Sequence, residues 1–411
     1  MATSHVCGDV PPSNRVGASD TLRTVADADC AIAHGGPSSV AHVVESASGG
    51  VRRHVLDLIL GLAKRGLRQF LVYSPAGADS GLLAALDSLR DADVDVRECH
   101  IPHAVGFGDI AAVLRLRAIL RATGPDVIHL HSSKAGAVGR LAVMAGMRQP
   151  VIYTPHATGA HLGWTYALAE WVLGRTRTDL CIAVSQSEGR DLRRFRVVPE
   201  SRIREVVNGI DAEAVREFAR GLNPPPASVD VTVCARVTSQ KDPLAAAKAS
   251  AHVLQVRPKT RFRWVGDGDM RDRFEAALRG LGIRSSWDIT GWVENPYGYM
   301  MASRLLWLPS RYESFGYVTL EGMALGVPTI GTKVAGTMDL IMHGDSGYLV
   351  DPGDVQRLAA HTVECLDDRA LLGRLSAGAR ARAEAMTVDK MVTGTLAAYA
   401  ATSAADGVSV R

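Results

Sequence analysis

Twice along this chain, short β-branched runs alternate with helix-periodic stretches, and that alternation leaves few folds open. It begins at SVAHVVES (39–46), passes Gly49-Gly50 and enters VRRHVLDLILGLAKRG. There Val51, Val55, Leu58, Ile59 and Leu62 recur at helical spacing, and Gly66 closes the end. FLVYS (70–74), VDVREC, a helix around 109–122, DVIHLH (126–131), a helix from 134, PVIYT, a helix around 165–174 and DLCIAVS (179–185) follow. NPPPAS (223–228) interrupts the series, because three consecutive prolines continue neither a helix nor a central strand. The alternation restarts with VDVTVCA (229–235), a helix after Asp242, RFRWVG (261–266), a helix from 270, WDITG (287–291), LLWLPS (305–310), VPTIGT (327–332) and GYLV (347–350). The predicted class is α/β: two Rossmann-like lobes with parallel sheets facing an inter-lobe cleft, where ligands sit outside the carboxyl ends of strands. The expected organisation is a flexible leader over 1–38, a first lobe over 39–220, a proline-rich linker over 221–228, a second lobe over 229–385 and a final helix over 386–403.

Composition narrows the function. With 47% hydrophobic and 22% charged residues among 411, a large core is available and wholesale disorder is excluded. A formal net charge of +3 argues against nucleic-acid binding by bulk charge. Only seven of the 46 basic residues are lysines, so a lysine in a special place stands out. Six scattered cysteines without a C-x-x-C pair argue against a disulfide scaffold or structural zinc and fit a reducing cytoplasm. The longest stretch without Asp, Glu, Lys or Arg, 149–169, contains Pro, two His and Gly and cannot span a bilayer. Membrane contact, if any, is expected to be peripheral, with Arg52, Arg53, Lys64 and Arg65 as the basic candidates for anionic lipid.

The segment SRYESFGYVTLEGMALGVPTIGT (310–332) carries the strongest chemical signal. Glu313 and Glu321 lie about 12 Å apart along a helical path, too far to serve one bond. They suit two hydroxyl-rich parts of one extended ligand, such as a sugar and a ribose. Between them the backbone N–H groups near Phe315, Gly316 and Tyr317 open a helix, and such an end attracts phosphate. Either glutamate alone is explained as a helix cap or a solvated side chain; the pair around this glycine is not.

A second element, ARVTSQKDP (235–243), places Arg236 just after a strand and Lys241 five residues later at a helix start. A diphosphate that departs without a metal needs fixed cations, and this loop supplies two. Gly49 and Gly50 allow close backbone approach to a ligand, and Gly266 in VGDGD opens a turn after a strand. His156, after the strand PVIYT, either faces the cleft or packs. His129 and His131 share one strand face and read as packing residues rather than metal ligands. The Asp-x-Asp patterns at 27/29, 91/93/95 and 267/269 are discounted as a magnesium site, so no metal is expected.

With Glu313 and Glu321 spaced E-x7-E, the segment resembles the hallmark of retaining GT-B glycosyltransferases of family 4. The similarity extends through DVIHLHSSKAG, TPHA (154–157), VSQSE (184–188), VVNGID (206–211), ARVTSQKDP, VGDGD and TGWVEN (290–295), in the family's order over about 39–400. The resemblance implies a nucleotide-sugar donor bound mainly to the second lobe, without a cofactor or catalytic metal. Residues matching Arg236 and Lys241 would hold the diphosphate, Glu321 the ribose and Glu313 the hexose. His156 would approach the transferred sugar, and the loop at Gly49 and Gly50 would sit near phosphates and acceptor. Gly266, Val293, Phe315 and Gly316 complete the implied donor site. The final helix would cross back to the first lobe. One departure is that Ala235 and Asp242 stand where many relatives carry glycine.

The implied reaction moves a hexose from a nucleoside-diphosphate sugar, uridine favoured over guanosine, to a glycan, lipid-linked or metabolite acceptor in bacterial polysaccharide or glycoconjugate synthesis. A nucleotide-sugar isomerase on the same scaffold and a non-catalytic binding protein are the alternatives. The acceptor side is expected in the loops 100–108 and 158–164.

Overall fold

The computed structural model describes residues 36–144, 146–157, 164–222 and 228–406. Residues 1–35 of the expected leader, the prolines at 224–226 and most of the loop 158–164 lie outside them.

The first sheet comprises β1 (Ser39–Val44), β2 (Arg68–Tyr73), β3 (Asp95–Glu98), β4 (Val127–His131), β5 (Val151–Thr154), β6 (Leu180–Ala183) and β7 (Ile203–Glu205). All are parallel, in the order β3-β2-β1-β4-β5-β6-β7. The second sheet comprises β8 (Val229–Cys234), β9 (Phe262–Val265), β10 (Trp287–Gly291), β11 (Ser303–Leu308), β12 (Thr329–Thr332) and β13 (Gly347–Val350), again parallel, in the order β10-β9-β8-β11-β12-β13. In both, the order reverses beside the first strand, which opens a crevice at the strands' carboxyl ends. The central strands β1, β4, β5 and β6 are buried along their whole length, as helix-covered parallel strands must be.

The helices that matter for the site are α1 (Gly49–Lys64), α2 (Ser80–Asp91), α3 (Gly108–Thr123), α4 (Ser133–Val143), α5 (Trp164–Thr176), α6 (Gln186–Arg194) and α7 (Ala212–Arg220) in the first half. In the second half they are α8 (Pro243–Val256), α9 (Arg271–Gly280), α10 (Tyr297–Met301), α11 (Tyr317–Ala324), α12 (Ala335–Leu340), α13 (Val355–Asp367), α14 (Arg369–Ala385) and α15 (Val388–Asp406). Gly49 and Gly50 form the first turn of α1 rather than a loop before it, with Gly49 at φ 52°. Strand β7 and helix α7 escape the periodicity reading: Ile-Arg-Glu is a three-residue edge strand with two exposed charges.

Helix α15 packs on the first lobe. Met391, Val392, Leu396 and Tyr399 join Leu58, Leu62, Val127 and Ile152 in one apolar cluster. A Cβ on Gly61 would stand 2.4 Å from Val392 Cγ2, so the two helices touch where only glycine fits. Arg65 adds a 2.5 Å ion pair with Asp389. Among the described residues no helix is long and apolar enough to cross a membrane.

Candidate active site

The loops that follow β8 and β11, neighbours at the reversal of the second sheet, are stitched together by their backbones. Arg311 N–H donates to Gln240 O at 2.8 Å, and Gln240 Nε2 to Tyr312 O at 3.1 Å. The stitching brings Lys241 Nζ onto Glu313 Oε1, which also accepts from Ser310 Oγ at 2.7 Å. Both side chains are largely buried (Lys241 16% and Glu313 8% exposed), so the pair interacts at reduced screening. Arg236, leaving β8, is exposed.

Asp242 explains the departure beside Lys241. It adopts a left-handed backbone, φ 44° and ψ 63°, a conformation that glycine takes at no cost. It holds that shape by capping α8, accepting from Ala245 N at 3.2 Å, and by pairing with Arg311 at 2.8 Å. Its carboxylate is therefore committed to Arg311 and not to Lys241.

Glu313 does not cap α11; the N-cap is Gly316, at φ 89°, without a side-chain cap. Phe315 is buried behind this turn, and a Cβ on Gly336 would meet its backbone at 2.3 Å. Glu321 lies in the second turn and is largely covered, its side chain 13% exposed. Burial raises its carboxyl above the usual range. Tyr297 OH donates to it at 3.2 Å, and Arg53 of α1 approaches it at 3.8 Å from the opposite lobe. Gly50 faces the same helix: a Cβ there would stand 3.2 Å from Tyr317. The first turns of α1 and α11 thus meet across the cleft, bringing Gly50, Glu321 and Arg53 together.

Of the four α1 cations named as candidates for anionic lipid, Lys64 is exposed and the three arginines have partners in the chain. Arg52 pairs with Asp79 at 2.8 Å, Arg53 with Asp57 at 2.7 Å, and Arg65 with Asp389. These three guanidinium groups are partly exposed and engaged within the chain, by the loop before α2, by α1 itself and by α15.

Gly266, at φ 140°, lies against the β8 loop, and a Cβ there would meet Ala235 O at 2.0 Å. Its spacing thus serves the packing of the VGDGD turn on ARVTSQKDP. Asp267 of that turn pairs with Arg271 at 2.7 Å. Val293 is partly buried against the apolar cluster behind α11.

His156 sits just beyond β5 at φ 61°, buried among four other imidazoles. His131 Nδ1 lies 3.2 Å from its Nε2, His42 Nδ1 lies 3.0 Å from His131 Nε2, and His42 Nε2 lies 3.0 Å from Gln69 Oε1. His129 lies beside them, 2.7 Å from Tyr399 OH and 2.8 Å from Thr154 Oγ1. His54 of α1 packs edge-on against His156 and bonds Asn208 Oδ1 at 2.7 Å. Burial drives all five towards neutrality, His42 to about 3 and His54 to about 4. Nitrogens of His42, His129 and His131, and of His54, His131 and His156, lie within 4.8 Å of one another.

Motif spacing points to Glu313, Glu321, Lys241 and His156 but not to Ser310, Arg53, Tyr297, His54 or Gln69. Nor does it reach the lobe junction, where Ser185 Oγ donates to Ser314 O at 3.1 Å and Asp339 accepts from Ser187 N at 2.8 Å. VSQSE, read only as part of the resemblance, is that junction.

Two six- and seven-stranded parallel lobes with their loops closing on one cleft define the GT-B class of glycosyltransferase. The model of "Glycosyltransferase Family 4" matches residues 48–214, and that of "Glycosyl transferases group 1" matches 228–368. A D-inositol 3-phosphate glycosyltransferase of Acidothermus cellulolyticus is 30% identical over 70% of this chain and 70% of its own. The glycogen synthase of Mycobacterium tuberculosis is 27% identical over 81% of this chain and 86% of its own. The crystal structure of Anabaena HepE with UDP and glucose superposes with a TM-score of 0.72 at 21% identity, covering 91% of this chain and all of that one. The chain belongs to the family 4, group 1 glycosyltransferases.

Proposed function

We propose that this glycosyltransferase is a metal-independent, retaining hexosyltransferase. Its donor would be a nucleoside-diphosphate sugar, UDP-linked in preference to GDP-linked. Its acceptor would be a glycan, a lipid-linked saccharide or a small metabolite in bacterial polysaccharide or glycoconjugate synthesis. It would work in the cytoplasm, with at most peripheral membrane contact. The observation that carries this reading is the largely buried Lys241–Glu313 pair at the carboxyl ends of β8 and β11, beside the open end of α11. A diphosphate entering there competes with Glu313 for Lys241, and Arg236, exposed and without an ion-pair partner among the described residues, stands at the rim to close on it. The α11 N–H groups add a partial positive charge. Each grows in effect as the leaving group gains charge, which is what accelerates bond breaking.

In this reaction the anomeric carbon–oxygen bond to the diphosphate breaks and a bond to the acceptor oxygen forms on the same face. The acceptor's proton passes to the departing phosphate, so no protein nucleophile is needed. UDP and UDP-glucose in crystals of HepE support a uridine donor. Glu321, beside Tyr297 and Arg53, is assigned to the ribose and Glu313 to the hexose.

The test is product NMR with a UDP-hexose panel and an acceptor panel in EDTA. An α-donor giving an α-product at undiminished rate supports the proposal. A β-product, or loss in EDTA restored by magnesium, overturns it. Sugar-nucleotide interconversion without release of UDP would instead make the chain an isomerase.

A further inference from the structure

Gln69 occupies a fully covered position on β2, 1% exposed, where a polar amide is unusual. Its Nε2 donates to Leu67 O at 3.1 Å. A carbonyl can only accept, so the amide is fixed with Oε1 turned to His42. His42 Nε2, 3.0 Å away, must then carry the hydrogen. A neutral imidazole has a single N–H, which leaves His42 Nδ1 as an acceptor and makes His131 Nε2 the donor to it. The same step repeats: His131 Nδ1 accepts, and His156 Nε2 donates. The polarity of one amide thereby passes through three rings and leaves His156 Nδ1 with a lone pair that no described residue takes up.

Neutrality is what makes this transmission strict. The titratable groups facing His131 are the imidazoles of His129, His42, His156 and His54, and those facing His156 are His131 and His54. Tyr399 closes the far side through His129. Desolvation, the leading cause at each ring, holds them uncharged. Gln69, His42 and His131 are at most 1% exposed and His156 is 7% exposed, so the row of rings runs from the core to the cleft edge. His156 is held there in a left-handed backbone that a histidine adopts only under constraint.

We propose that Gln69 is a positioning residue which, through His42 and His131, fixes the tautomer of His156 and so presents its Nδ1 as a hydrogen-bond acceptor to a hydroxyl of the transferred sugar. The sugar in that statement rests on the glycosyltransferase reading above; the tautomer does not. A competing use of the same rings is a metal ion on His54, His131 and His156, since His54 Nε2 is buried without a partner among the described residues. That arrangement would take the lone pair of His131 Nδ1 away from His156 and strip the hydrogen from His156 Nε2, the nitrogen that faces it, so the two uses exclude each other.

Two-bond ¹H–¹⁵N spectra of the imidazoles in the full chain, without substrate, decide between them. The His156 signals are assigned by loss in His156→Gln. We expect His156 as the Nε2–H tautomer, unprotonated from pH 6 to 8. In Gln69→Leu, His156 becomes a tautomer mixture, and kcat for sugar transfer falls about tenfold with UDP affinity unchanged. In Gln69→Glu a carboxylate ends the chain, an imidazolium appears and the acid limb of the pH profile moves up by about one unit. Three outcomes overturn the proposal: an Nδ1–H His156 in the native protein, a Gln69→Leu spectrum identical to it, or one equivalent of zinc shifting the three rings together. The spectra need no turnover, so a chain inactive on every nucleotide sugar would sink the transferase reading and leave the tautomer result to stand or fall by itself.

Discussion

Lys241 and Asp242 are adjacent and do opposite things. Lys241 turns inward to Glu313, while Asp242 turns to Arg311 and the end of α8. A charge-assisted bond to diphosphate contributes about 1.5–3 kcal/mol, so Lys241→Ala should lower kcat/KM for sugar transfer by roughly 10- to 150-fold. Circular dichroism should show the fold intact; a loss under threefold would remove Lys241 from the chemistry. Asp242 calls for a different experiment. Asp242→Ala keeps a side chain in the left-handed region while losing cap and ion pair, and should cost about 1–3 kcal/mol in urea unfolding. Asp242→Gly loses the same bonds but relaxes the backbone, and should cost visibly less. Equal costs would show that backbone strain is irrelevant there. That contrast accounts physically for glycine at this place in the relatives that the motif resembles.

At the level of elements, α6 joins the lobes through its first turn. Ser185 caps it by accepting from Glu188 N, while the Glu188 carboxylate accepts from Val184 N at 2.7 Å. Glu188 is buried, and desolvation lifts its carboxyl to about 8. The folded state thus prefers the proton that the unfolded chain gives up near 4.5. This contribution to stability is complete below that lower value and is lost as pH rises to about 8, where it bottoms out. Glu188→Gln, which keeps an acceptor for Val184, should flatten the unfolding free energy between these limits. A native-like decline in the variant would place the titration elsewhere. The same scale shows what sequence reading reaches. Strand–helix alternation and the E-x7-E segment were legible because each depends on neighbours a few residues apart. Gln69, His42 and His131 depend on one another across separations of 27 and 89 residues, set by the pairing of β1 with β2 and β4. Period-two spacing places His131 beside His129 on one strand face, but no local pattern joins it to His42 or Gln69. Arg53 is similar: its helical spacing announces a solvated face, and only the other lobe turns it into a partner of Glu321.

The whole molecule is held as one body by contacts that ignore the lobe boundary: Gly50 on Tyr317, Ser185 on Ser314, Ser187 on Asp339 and α15 on α1. Gly61 offers the cleanest probe of the last. Gly61→Val drives a branched side chain into Val392 and should lower stability by about 1–3 kcal/mol. Adding Val392→Ala should recover part of it, a coupling measurable by a double-mutant cycle. Independent effects would mean that the helices do not meet there in solution.

The placement of α15 also orders events in time. Synthesis proceeds from the amino end, so Leu58, Leu62, Val127 and Ile152 emerge from the ribosome some two hundred residues or more before Met391, Val392, Leu396 and Tyr399, which cover them. Until those last residues are released, the earlier half carries an uncovered oily seam and His129 waits for its phenol partner. The domain that is made first is therefore completed only after the second has been synthesised.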